Sequence, residues 1–163
     1  MSFKQSNLSD NKKDVEKEVY ELLLDKQYYQ AFQIAKKIEN QATIILLINL
    51  AICFNASKSY TKALFYLEKA FNKIHTSKNI QNMNLSAEDI SFIKAENEEK
   101  SYLLPLNPKF ELPNFLIEMR IDFFRLDIYI LCGKEEKALD IINKYKEYNF
   151  KTIINAQKKL LEK

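Results

Sequence analysis

Glycine is almost missing from this chain of 163 residues; Gly133 is the single copy. Proline is confined to Pro105, Pro108 and Pro113. Tight sheet turns and phosphate-cradling loops both depend on glycine, so its scarcity argues against a β-rich fold and against a glycine-dependent nucleotide site. The chain has only one histidine, His75, and no Cys or His lies near it at metal-ligand spacing, so no metal site is expected. Two cysteines, Cys53 and Cys132, are too few for a disulfide scaffold. Each sits in an apolar helical run, where a buried free thiol is expected. Arginine occurs twice, at Arg120 and Arg125, so the net charge of +3 rests on lysines interleaved with acids. Such interleaving describes solvated helix faces better than a nucleic-acid footprint. Ala42 to Phe54 is the longest apolar stretch and is too short to span a bilayer. The segment Met1 to Lys13 has no apolar signal core. A cytoplasmic protein without a membrane span is expected.

What remains is a hydrophobic content of 47%, enough for a core, in a sequence with few helix breakers. Within it one phrase recurs: Tyr28-Tyr29-Gln30-Ala31-Phe32, Tyr60-Thr61-Lys62-Ala63-Leu64 and Glu135-Glu136-Lys137-Ala138-Leu139. Each copy opens a helical stretch and follows another. Ala31 and Ala63 are 32 residues apart, the period of a helical-hairpin repeat. Residues 1–11 read as a flexible tail, and a first helix begins near Asp10 or Asn11, with Val15, Val19, Leu22 and Leu23 at helical spacing. In the second hairpin Tyr60, Ala63, Leu64, Leu67, Ala70, Phe71 and Ile74 share one stripe.

The repeat then stalls between Ala63 and Ala138. Ser86 and Asp89 are placed as a capping box for a helix with Ile90, Phe92 and Ile93 on its apolar side. Ser101 to Asn114 carries all the prolines and is expected to be extended. Asn114 is a candidate cap for a helix from Phe115 to Leu131, which Gly133 ends. On that helix Glu118, Asp122 and Arg125 form one polar stripe and Arg120 and Asp127 a second, nearly opposite. Ala138, Leu139, Ile142 and Tyr145 form the buried face of the next helix. A final helix, about 151–163, puts Ile153, Ile154, Gln157, Leu160 and Leu161 on one side.

The pattern resembles the tetratricopeptide repeat family. In the best copy Leu47, Leu50, Ala51 and Phe54 match the family's first helix, and Tyr60, Ala63, Leu67 and Ala70 its second. The copies run about 12–43, 44–77 and 119–152, with an insertion about 78–118 that departs from the family, as does Tyr145 in place of the second alanine. The resemblance implies one all-α domain over 12–163, a short right-handed superhelix closed by a C-terminal capping helix. It also implies a concave groove lined by first helices, where a peptide or helix of another protein binds. The groove positions are Tyr20, Ile45, Ile48, Asn49, Ile52, Asn55, Arg120, Phe124 and Asp127. A carboxylate clamp known in part of the family is not expected, because acidic Glu16 would repel the ligand.

The functional expectation is a noncatalytic protein–protein interaction module: an adaptor, chaperone-like holder or assembly subunit, with self-association as an alternative. No cofactor is expected, and no catalytic constellation is visible in the sequence. The runner-up is an RNA-binding helical repeat protein. A groove floored by isoleucines is costly to leave in water, so either a partner segment or the chain's own Tyr102-Leu103-Leu104-Pro105-Leu106 should cover it.

Overall fold

The computed structural model describes residues 3–76, 85–97 and 100–162, and among these every regular element is helical. In chain order the α-helices are α1 (Phe3–Leu24), α2 (Tyr28–Lys36), α3 (Ile44–Ala56), α4 (Tyr60–Thr76), α5 (Ala87–Asn97), α6 (Asn114–Leu131), α7 (Glu135–Tyr145) and α8 (Lys151–Leu161). Three short 3-10 turns, Glu39–Gln41, Ser101–Leu103 and Lys146–Tyr148, lie between them. The protein is all-α among the described residues. The chain gathers into two compact units, Met1–Thr76 with Pro105–Leu112, and Ser77–Leu104 with Pro113–Lys163. Part of the expected insertion, 78–84 and 98–99, lies outside the described residues, as does the last residue of the second copy, 77.

In the first unit α1 packs on α2, α2 on α3 and α3 on α4. Helix α1 starts at Phe3, so residues expected to be a tail are helical. No proline or glycine interrupts 3–14, and a helix nucleated in the packed turns around Val19 and Leu23 propagates through them. Thr43 caps α3, its Oγ1 accepting from the Leu46 amide at 3.1 Å. From Leu46 to Cys53 every residue of α3 is buried. A helix that is apolar on all sides belongs inside, and that is why no stripe is visible in its sequence.

In the second unit α6 packs on α7, and α8 packs on both. The Ser86–Asp89 capping box forms: Asp89 N–H donates to Ser86 Oγ at 3.1 Å, and Ser86 N–H to Asp89 Oδ2 at 2.9 Å. These bonds hold the exposed Asp89 carboxyl below its ordinary pKa. Asn114 is the first residue of α6 and not its cap; Pro113 takes that place, its carbonyl accepting from Leu116 and Ile117. Proline's fixed φ, here −55°, suits the entry to a helix. Ser101–Leu103 is a 3-10 turn and not extended chain.

Three apolar faces are narrower than their sequences suggest. Phe92 and Leu139 are exposed, and on α8 the buried line is Ile153 and Ala156, with Ile154 and Leu161 in solvent. Cys53 is buried, and burial pushes its thiol up to about 12, but Cys132 is exposed at the C-terminal cap of α6.

The three hairpin turns share one backbone device. Lys26, Lys58 and Gly133 all sit at positive φ, at 58°, 60° and 66°. In each turn the next amide returns to the carbonyl five residues before it: Gln27 to Leu22, Ser59 to Phe54 and Lys134 to Tyr129, all at 2.8 Å. Lys26, Lys58 and Gly133 bond inside that loop to Leu23, Asn55 and Ile130, which completes the Schellman motif. Five residues beyond each left-handed position stands Ala31, Ala63 or Ala138, fully buried. The recurring phrase is therefore the second helix of a hairpin, entered at the same register each time.

Candidate functional site

The first unit places Asn49 in the middle of α3 with 1% of its surface exposed. A primary amide carries both donors and an acceptor, and burial without partners would be costly. Both ends are used on one residue. Asn49 Nδ2 donates to the Leu106 carbonyl at 3.0 Å, and the Leu106 amide donates to Asn49 Oδ1 at 2.8 Å. The pair forms a closed ring of two hydrogen bonds, the geometry by which one strand grips another. Helix α3 thus holds a piece of irregular main chain at Leu106, and the piece belongs to this protein. Leu106 itself is buried, as are Ile48 and Ile52.

In the second unit the two polar stripes of α6 have different occupants. Arg120 donates through Nη2 to the Leu104 carbonyl. Burial lowers its guanidinium to about 10, with Glu96 acting in the opposite direction. Asp127 meets Lys100 at 3.3 Å. Between these two anchors Tyr102 is buried, its ring edge-to-face with Phe123 at 6.2 Å. Its phenol is pushed upward, chiefly by burial and then by the Asp127 charge. Residues 100–104 therefore lie along α6.

The other stripe faces α7. Asp122, 3% exposed, accepts from Tyr145 Oη at 2.9 Å and from Lys144 Nζ at 2.7 Å, and pairs with Arg125 at 3.6 Å. Lys144 also reaches Glu118 at 2.5 Å. Burial pulls the Lys144 ammonium down, but Asp122 and Glu118 together outweigh it and its pKa is raised. The Tyr145 phenol is raised by burial first and by Asp122 second.

Of the expected groove residues, Ile48, Asn49, Ile52 and Phe124 are buried and so do not line an open groove. Tyr20, Ile45, Asn55, Arg120 and Asp127 are partly exposed. Asn49 bonds to Leu106 within the first unit, and Arg120 and Asp127 bond to Leu104 and Lys100 within the second. Glu16 is buried on α1. Lys100, Tyr102, Lys144 and Tyr145 were not anticipated as polar partners. The signal for the last was the tyrosine standing where the resemblance has alanine.

Among the described residues no group of His, Cys, Asp and Glu could hold a metal ion, and no helix is long and apolar enough to cross a membrane. No family model matches the sequence, and comparison with curated proteins and with solved structures yields no match.

Proposed function

We propose that this chain is a noncatalytic protein–protein interaction module of tetratricopeptide-like hairpins, and that α3 is a helix on which it receives an extended segment. The observation that carries this reading is the paired hydrogen bonding of Asn49 with the backbone of Leu106. A side chain that reads only main-chain groups can accept any extended segment whose side chains fit beside it. In the isolated chain Leu106, just before the turn at 107–110, occupies that role. A partner's segment would replace it, and exchange of the segment between copies would give self-association. The shared register of the three hairpins supports the repeat reading, since repeat architectures are used mainly as binding surfaces.

Aspartate at Ile48 or Ile52 would test only folding, because both are buried. A better test replaces residues 105–112 by a glycine–serine stretch of equal length. A labelled peptide with the sequence of 105–112 is then added and followed by fluorescence anisotropy. Saturable one-to-one binding, lost when the peptide is N-methylated at the residue equivalent to Leu106, is the expected result. A replaced chain that keeps its circular dichroism but binds no peptide overturns the reading. So does loss of the helical signal on replacement, which would make the segment ordinary core.

A further inference from the structure

The first unit carries a second feature, at the C-terminal end of α3 beyond Asn49. A surface cavity of about 380 Å³ opens between α2 and α3, lined by Tyr28, Tyr29 and Phe32 on one side and by Phe54 and Ser57 on the other. Its size falls near the lower end of the roughly 300–1,000 Å³ typical of ligand pockets, room for one or two large side chains. Tyr29 is 74% exposed. An exposed aromatic beside an apolar hollow is costly in water and is common at interfaces.

The two helices that line it, α2 and α3, carry no acid, and Lys36, Lys37, Lys58 and Lys62 stand on them or shortly beyond. The neighbouring acids in the chain are Asp25, Glu39 and Glu68, of which Glu39 is taken up by the Tyr66 hydroxyl at 2.6 Å. Two of these lysines lie over lining rings, Lys36 above Phe32 at 5.9 Å and Lys62 above Phe54 at 5.4 Å. Lys58 follows the lining Ser57 in the chain.

We infer that this cavity is a docking site for an acidic segment of a protein partner that inserts one aromatic or large aliphatic side chain among Tyr29, Phe32 and Phe54 while its carboxylates meet the lysines. The apolar anchor would supply most of the affinity and the charges the selectivity and encounter rate. A single-stranded nucleic acid would use the same charge but needs open ring faces for its bases. Here Phe32 and Phe54 are already packed edge-to-face at 5.2 Å, and Tyr66 is stacked on Phe54 at 5.3 Å. That arrangement favours an inserted side chain over a stacked base.

The test uses the full chain and labelled short peptides in fluorescence anisotropy. One peptide flanks a phenylalanine with aspartates, a second has alanine for the phenylalanine, a third has lysines for the aspartates, and an oligouridine is the nucleic-acid probe. The first peptide should bind saturably. Affinity should fall about tenfold or more with the alanine peptide, with Tyr29→Ala, and with Lys36→Glu combined with Lys62→Glu. These are exposed positions, so circular dichroism should be unchanged. Equal binding of the lysine peptide, tighter binding of oligouridine, unchanged affinity in the folded variants, or no binding of the first peptide would each overturn the proposal.

Discussion

Tyr145 donates its hydroxyl to the buried carboxylate of Asp122 at 2.9 Å, joining α7 to α6. In the sequence Asp122 belongs to a polar stripe of α6 and Tyr145 stands where the resemblance has alanine; they are the two halves of this one contact. Tyr145→Phe keeps the ring against Phe123 and Phe150 but removes the donor. A hydrogen bond to a charged group is worth about 1.5–3 kcal/mol, and Lys144 remains to satisfy Asp122, so the lower end is expected. Urea unfolding should show the loss as a lower midpoint at unchanged slope. A loss no larger than that of an exposed substitution would mean that Lys144 alone compensates Asp122.

The left-handed turns give a second prediction, of opposite sign. Lys26 and Lys58 hold a conformation that is strained for any residue with a Cβ, while the equivalent turn uses Gly133. Lys26→Gly and Lys58→Gly should each stabilise by about 0.5–1 kcal/mol, the left-handed strain of roughly 1–2 kcal/mol less the added flexibility of the unfolded chain. Gly133→Ala should destabilise by about 1 kcal/mol, from backbone strain alone, since a Cβ there meets nothing within 4 Å. Thermal denaturation of the three variants checks this. Destabilised Lys58→Gly would show that the side chain of Lys58 contributes more than its backbone costs.

These turns also show how far the sequence could be read. The alanines marked the hairpins because a fully buried small residue at a fixed distance from a turn leaves a period. The lysines at the turns left none, since lysine carries no conformational signature, and only alignment with Gly133 points to them. The Ser86–Asp89 box was legible because capping is local. Asn49 was legible as a polar residue in a helix of isoleucines and leucines but not as a grip on Leu106, which lies 57 residues further along the chain. Leu139 and Ile154 fell on the wrong side because short amphipathic helices tolerate apolar residues at their margins, and only the packing partner decides which are covered.

The grip of Asn49 on Leu106 can be read directly by hydrogen exchange. The Leu106 amide has Asn49 Oδ1 as its acceptor, so in Asn49→Ala its protection should fall markedly while amides inside α4 change far less. The Leu106 amide and carbonyl are left without their side-chain partner, which costs on the order of 1–3 kcal/mol for each group that stays dry. Protection of Leu106 equal to that of the wild type would show that another contact holds the segment on α3.

Alkaline pH should unfold the protein through its tyrosines. The phenols of Tyr102 and Tyr145 are both raised in the folded state, chiefly by burial, with Asp127 and Asp122 adding to it. A group whose folded pKa lies above its unfolded value stabilises fully below the unfolded value, near 10 for tyrosine, and loses that contribution as pH rises toward the folded value. Each such phenol should therefore remove about 1.4 kcal/mol per pH unit above roughly pH 10. Lys144, raised by Asp122 and Glu118 against its burial, acts in the same direction. Arg120 opposes them: its folded pKa is held down to about 10 by burial, so its ionisation costs less stability as pH climbs above that value. With Tyr66, whose phenol is likewise raised by burial and then by Glu39, three tyrosines and a lysine outweigh one arginine, and stability should fall between pH 10 and 12 in a cooperative step. Phenolate absorbance near 295 nm should rise in that same step for the buried tyrosines, and Tyr145→Phe should flatten the decline in stability with pH. Smooth titration of every tyrosine near pH 10, with the helical circular dichroism intact, would show that the Tyr145–Asp122 contact opens without unfolding the protein.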